Sequence, residues 1–516
     1  MLTIKGNLIN CTGFGRYSFS EAVVFCKVFD DENHRFHGTI VVSDLRKGFG
    51  LITQRIQRTM KKQILPGVIA VPGIAILLMA CQPSSDLTQK GPLDDKLETL
   101  IDQASSGQGK AFYQLPESTD YTRIPQDPKN PVTAEKVALG ELLFHETALS
   151  QHPMKIISFG TYSCASCHHA KAGFQACVPQ GIGDGGVGFG QNGEARAINS
   201  QYQGSEVDVQ PVRSPSALNI AYQTNILWNG QFGATGVNTG TEAAWTKGTP
   251  KEKNTLGFQG VETQAIAGQD VHRLNMKASA FQGNATYKEL FKKAFNDNWT
   301  NDAQTAINAG MAIAAYERTL LSTRAPFQRW LKGEAGALSS EEKEGAILFF
   351  GKAGCAQCHN GPALNTMKFY ALGMSDLTDG APSGKAVVVQ ADPTKAEHKG
   401  RGGFTGRAED MYKFKVPQLY NLKDSPFYGH GASFRTIEEV ITYKNAAVAQ
   451  NANVPKTQLA AEFKPLNLST ADMQKIASFI RNGLYDPELM RYVPKSLPSG
   501  AAFPNNDPVS RSQLGF

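Results

Sequence analysis

Two short motifs constrain this chain more than anything else in it: Cys164-Ala165-Ser166-Cys167-His168 and Cys355-Ala356-Gln357-Cys358-His359. Thiols at this spacing can form thioethers to the two vinyl groups of a haem, and the adjacent imidazole then turns beneath the macrocycle to ligate iron. Zinc would need a fourth ligand at each site, or pooled Cys pairs. Thioredoxin-like chemistry needs no His after the motif and usually a βαβ setting. The motifs therefore predict two covalently bound haem c groups. Cys164, Cys167, Cys355 and Cys358 attach them, and His168 and His359 ligate the irons.

The segments around the motifs echo one another. Gly140-Glu141-Leu142-Leu143-Phe144 precedes the first, and Gly345-Ala346-Ile347-Leu348-Phe349 precedes the second. Both read as a helix delivering the chain to its cysteines, the second opened by a Ser339/Glu342 capping box. Asp302 to Ser322 is a further helix, with Ile307, Met311, Ala314, Ala315 and Leu321 near helical spacing. Ala325-Pro326 stops it and marks a domain seam. Ser469 precedes Met473, Ile476, Ala477, Ile480 and Leu484, an amphipathic helix of the kind that closes a small c cytochrome's haem pocket. With 50 Gly and 26 Pro among 516 residues, much of the fold is loop. The expected fold is mainly α: two cytochrome c-like domains with long loops, one haem c each, at 113–325 and 326–516.

Residues 60–81 order a basic start (Met60-Lys61-Lys62), an apolar run from Ile64 to Ala80 and a small residue before Cys81. The order resembles a bacterial lipoprotein signal, cleaved before Cys81, which is then acylated. On that reading Met60 is the initiator and residues 1–59, with Cys11, Cys26, His34 and His37, are a mis-called extension. A transmembrane anchor is the competing reading, although seventeen residues holding two Pro and two Gly are short for a span. Residues 82–112 are polar and read as a tether. The protein is expected in the periplasm, held to a bacterial membrane, the outer one, by lipid only. A formal net charge of +6 without a dense Lys/Arg block argues against nucleic acid.

From about residue 113 to 516 the chain resembles the bacterial di-haem cytochrome c peroxidases and MauG-like proteins. Beside the haem motifs, the resemblance rests on Pro215-Ser216-Ala217-Leu218-Asn219, Leu227-Trp228-Asn229-Gly230, Glu262-Thr263-Gln264-Ala265, Tyr316-Glu317-Arg318-Thr319-Leu320-Leu321, Lys415-Val416-Pro417-Gln418-Leu419-Tyr420-Asn421 and Pro426-Phe427-Tyr428-Gly429-His430-Gly431. It implies that the first haem reduces hydrogen peroxide. The second accepts electrons from a small cytochrome c or cupredoxin, and Trp228 bridges the two.

In the family a Glu assisted by a Gln moves the peroxide proton. Gln264 fits the Gln, but the Glu's place falls near Val271-His272-Arg273-Leu274, which holds no carboxylate. His272 becomes the first candidate for acid–base work, Arg273 a charge stabiliser and Glu262 the reserve. No His lies between His169 and Arg213 to close the first iron, so that haem is expected open. At the second haem the expected Met position falls on Tyr443 or Lys444, with Met374 and Met411 as alternative ligands from elsewhere in the chain and His430 as a pocket-lining residue or a ligand. A family calcium site would rest on carbonyls of 415–417, because Ser214 replaces the matching Asn. A homodimer is left open. The competing functions are a peroxide reductase, a MauG-like oxidant that modifies a protein or peptide, and a non-enzymatic di-haem electron-transfer cytochrome.

Overall fold

The computed structural model describes residues 2–4, 7–18, 21–29, 35–43, 90–296, 298–378 and 388–516. The chain divides into two compact units, 1–83 and 84–516. In the first, β1 (Leu2–Ile4), β2 (Asn7–Ser18), β3 (Glu21–Phe29) and β4 (Arg35–Ser43) form an antiparallel meander in sequence order. β2 and β3 pair Cys11 with Cys26, and β3 and β4 pair Val24 with Ile40. The segment read as a lipoprotein signal, with Cys81, lies outside the described residues. Among the described residues no helix is long and apolar enough to cross a membrane.

The second unit is helical, joined by long loops. Its main helices are α1 (Pro92–Ala104), α2 (Ala134–His145), α3 (Gly260–Val271), α4 (Ala285–Phe295), α5 (Asp302–Arg318), α6 (Pro326–Leu331), α7 (Ser340–Phe350), α8 (Ile437–Ala446) and α9 (Thr470–Ser478). Caps set several of these starts. Thr133, Asn284 and Asn301 each accept a backbone N–H of the first turn. Ser339 and Ser469 close capping boxes with Glu342 and Asp472.

Two crossed helix pairs organise this unit. α2 packs on α5, and α7 packs on α9. At the first crossing Gly140 sits so close to α5 that a Cβ added to it would lie 1.9 Å from the Ala312 carbonyl oxygen and 2.9 Å from Tyr316 Cβ. At the second, a Cβ on Gly345 would lie 2.0 Å from the Lys475 carbonyl oxygen and 2.9 Å from Phe479 Cβ. The echo in the sequence is thus an echo in packing. Each glycine lets two backbones approach, just upstream of a haem motif.

The stretch read as a tether is different in the structure. Its C-terminal part is α1, docked on α7 by buried Leu97 and Ile101 and by Asp94. The Asp94 carboxylate pairs with Lys343 at 2.7 Å and accepts from Trp330 Nε1 at 2.6 Å. The apolar spacing Leu93, Leu97, Leu100, Ile101 is a narrow helical stripe that the polar composition conceals.

Candidate functional site

Each haem motif is wound into a single tight turn. In the first, Ser163 N–H donates to Ser166 Oγ (3.0 Å), Cys164–Ser166 form a 3-10 turn, and His168 N–H returns to Cys164 O (3.1 Å). In the second, Gly354 enters at φ 66°, Cys355–Gln357 make the same turn, and His359 N–H returns to Cys355 O (2.9 Å). The two imidazoles are oriented alike. His168 Nδ1 lies 3.2 Å from Phe174 O, and His359 Nδ1 lies 3.0 Å from Leu364 O and 3.1 Å from Pro417 O. A carbonyl accepts only from Nδ1–H, so Nε2 keeps the lone pair that a metal needs. Burial pushes both imidazoles down to about 4, which keeps them neutral.

Both motifs open into one continuous cavity of about 900 Å³. Its walls include Phe144, Ile313, Leu227 and Phe349 as well as the four motif cysteines. Burial holds the Cys164, Cys167 and Cys355 thiols up at about 12. Among the described residues no group of three His, Cys, Asp or Glu side chains is arranged to hold a metal ion. Gly181 presses on the first motif: a Cβ there would stand 2.8 Å from Cys167 Cβ and 2.9 Å from its Sγ. An apolar cavity, paired neutral thiols and a neutral imidazole with a free Nε2 fit a covalently held haem at each motif.

The predicted acid–base residues separate in the structure. Gln264, Gly268 and His272 follow one face of α3 into the cavity. A Cβ on Gly268 would meet Gln264 Nε2 at 3.4 Å and His272 Cδ2 at 3.7 Å, so the two side chains flank it. His272 Nδ1 is 2.8 Å from Asp208 Oδ2, and its ring stays 38% exposed where it lines the cavity. Asp208 is held by the loop that covers Cys167, through Gly183 N–H to Asp208 O (3.0 Å) and Asp208 N–H to Asp184 O (2.8 Å). Burial works to lower the His272 pKa, but the Asp208 carboxylate outweighs it and raises the value above the usual histidine range.

Arg273, the next residue, takes φ 56° and turns elsewhere. Its guanidinium pairs with Asp184 and donates to Glu206 O (2.8 Å). Glu262 lies under the helices in a fully buried, two-pronged pair with Arg318, at 2.9 and 2.7 Å. Neither residue lines the cavity.

Trp228 does line it. Its indole N–H donates to Arg213 O (2.8 Å), its own carbonyl accepts from Lys415 N–H (2.7 Å), and its ring stands edge-on to His430 at 6.3 Å. His430 stacks on Phe414 at 3.7 Å and reaches Asp376 through Nε2 at 3.0 Å. At the second motif, Lys444 and Met374 line the cavity. Tyr443 does not: it packs between Phe434 and Phe463, and its hydroxyl donates to Leu372 O at 2.6 Å. Sequence reasoning missed Asp208, Asp376 and Glu317. Asp208 carries no local signal, being 64 residues from the histidine it holds.

Residues 134–336 match the family described as Di-haem cytochrome c peroxidase. Cytochrome-c peroxidase IdrP1 of Denitromonas iodatirespirans is 29% identical over 392 residues, covering 73% of this chain and 88% of that protein. Methylamine utilization protein MauG of Methylorubrum extorquens is 26% identical over 381 residues, covering 73% and 85%. Cytochrome c551 peroxidase of Nitrosomonas europaea is 29% identical over 311 residues, covering 60% and 73%. The crystal structure of a MauG-like protein associated with microbial copper homeostasis shares the fold, with a TM-score of 0.50 at 22% identity over 73% of this chain and 96% of that one. With the paired motifs, the packed helix pairs and these relatives together, the chain is similar to the di-haem cytochrome c peroxidase and MauG family of oxidoreductases, whose model it matches over residues 134–336.

Proposed function

We propose that this protein reduces hydrogen peroxide to water with electrons from a small periplasmic cytochrome c or copper protein, the second haem relaying them to the first. The Asp208–His272 pair, aimed into the cavity near the first motif, carries the reading. Bound haem supplies the redox-active iron. The chain's residues hold the proton: His272 Nε2, the nitrogen that Asp208 leaves free, takes it from one peroxide oxygen and returns it to the departing one. Peroxide, two electrons and two protons then leave as two waters. Gln264, beside His272 on the same helix face, orients the peroxide through its amide. Trp228, tied by hydrogen bonds to Arg213 and Lys415, is the bridge between the haems.

The order of residues 60–81 supports export and a lipid anchor at Cys81, on the periplasmic side of a bacterial membrane. Calcium fits poorly. Ser214 stands where the family's Asn is expected, and the stretch 415–417 opens with a buried lysine, an unfavourable neighbour for a divalent cation.

A MauG-like oxidant acting on a protein or peptide is the second reading, favoured by Tyr443-Lys444 standing where a peroxidase has Met. Steady-state peroxide consumption by the holoprotein with a reduced small cytochrome c separates the two. Rapid turnover is expected. An inert protein whose resting EPR spectrum holds low-spin ferric haem alone would sink the proposal, leaving an electron-transfer cytochrome.

A further inference from the structure

The two crossed helix pairs allow a position-by-position comparison of the haem pockets. Gly140 meets Ala312 and Tyr316; Gly345 meets Lys475 and Phe479. Ala312 therefore corresponds to Lys475 and Tyr316 to Phe479, which makes Ile313 correspond to Ile476 and Glu317 to Ile480. All four of these last residues line the cavity. Ile313 and Ile476 match in kind. Glu317 and Ile480 do not.

Glu317 is 6% exposed and Ile480 is 7% exposed, so a carboxyl group occupies a place that needs no polarity for packing. One of its oxygens, Oε2, is buried without a hydrogen-bond partner. Leaving such a group unpaired is costly, and the isoleucine of the second half shows that an apolar side chain fits the position. A buried acid that the fold does not require points to a role for its proton.

We propose that Glu317 is a proton-holding group of the first haem pocket, coupling each electron that this haem gains to the uptake of one proton from cavity water. The inference rests on a haem being bound at Cys164, Cys167 and His168. On reduction, one electron arrives from a one-electron donor and the Glu317 carboxylate takes one proton. On oxidation both leave. The added electron makes the pocket less positive, so the carboxyl holds its proton more tightly in the reduced state.

The surroundings suit this. Burial, with Glu262 nearby, pushes the Glu317 carboxyl up to about 8, opposed by Arg318. The titratable groups on elements packed against it include the Cys164 thiol, Glu141 and His145 on α2, Glu262 on α3, Tyr316 and Arg318 on its own helix and Tyr222 on the adjoining turn. Glu262 and Arg318 neutralise each other as a pair. His272, paired with Asp208, is a further proton-carrying group lining the cavity.

Spectroelectrochemical titration of the holoprotein from neutral to mildly alkaline pH tests the proposal. The first haem's potential should fall with rising pH, approaching a tenfold change in its reduction equilibrium per pH unit, or about 59 mV for one electron. Glu317→Gln should flatten that slope and leave the second haem's potential where it was. In redox-difference infrared spectra of the unaltered protein, a protonated-carboxyl C=O band should change between the two states. A flat first-haem slope, a slope that survives in Glu317→Gln, or the absence of that band would each overturn it. A haemochrome count below two per chain would instead overturn the underlying haem reading.

Discussion

A Cβ built on Gly140 would stand 1.9 Å from the carbonyl oxygen of Ala312, and no rotamer change can relieve a contact with backbone. Gly140→Ala must therefore push α2 and α5 apart. Overpacking of this kind costs about 1–3 kcal/mol or more. Gly345→Ala should do the same to α7 and α9, where the contact is 2.0 Å from Lys475 O. Thermal melts followed at each haem's absorbance should show Gly140→Ala loosening the first haem before the second, and Gly345→Ala the reverse.

The sequence carried this relationship in part. The repeated Gly-x-x-Leu-Phe pattern announced two equivalent helices, the Ser339 capping box announced where α7 begins, and Ser469 stands just before α9, the partner of α7. What lies across each crossing could not be read, because Ala312 and Lys475 are unrelated in chemistry and only their carbonyls matter. Arg273 shows a similar limit. It follows His272 directly, yet it is drawn out of the cavity by Asp184, 89 residues earlier.

Glu262 and Arg318 form an ion pair with neither side chain exposed. Removing one charge strands the other in a medium that cannot solvate it, at a cost of about 3–5 kcal/mol. Glu262→Gln should lower stability by that order in denaturant titrations. Replacing both residues by apolar ones of similar volume should recover most of the loss. Recovery of peroxide turnover in the double variant would show that the carboxylate serves the fold and not the chemistry.

The Asp208 carboxylate raises the His272 pKa above the ordinary value of 6.5. The imidazolium is thus stabilised by folding. Its contribution is fully present below the unfolded value and is lost as pH rises through the higher folded one. A base must be unprotonated to act, so peroxide turnover should climb as pH passes through that raised value. Asp208→Asn should move the climb to lower pH. His272→Gln should cut kcat/KM by roughly 10²–10⁴, the usual worth of a positioned acid–base group. An unchanged pH profile in Asp208→Asn would show that the pair does not set it.

Tyr443 and Lys444 are neighbours in sequence but lie about 100° apart around α8. That single step sends one into an aromatic cluster and the other to the cavity wall. A one-residue uncertainty in comparing sequences therefore reverses which of them can face the second haem. Tyr443→Phe removes only the hydrogen bond to Leu372 O and should cost about 1 kcal/mol, leaving the second haem's absorption spectrum unaltered. Lys444→Met should change that spectrum. A spectral change in Tyr443→Phe alone would reverse the assignment.

Lys415 is buried with neutral partners, Gln223 Oε1 and the Asn225 carbonyl, the latter at 2.9 Å. Burial pushes its ammonium down to about 7, against about 10.4 for a free lysine. Between these values the unfolded chain binds a proton that the folded protein does not. Stability should therefore rise with pH across that window, by at most about 1.4 kcal/mol per pH unit from this group. Below the window both states are protonated and the folded one bears the full cost of a buried charge. Lys415→Met removes that cost and should flatten the rise, a difference that denaturant titrations at neutral and mildly alkaline pH would detect. If the rise persisted in Lys415→Met, the proton responsible would belong to another group, and the ammonium at this position would have to be carried without penalty.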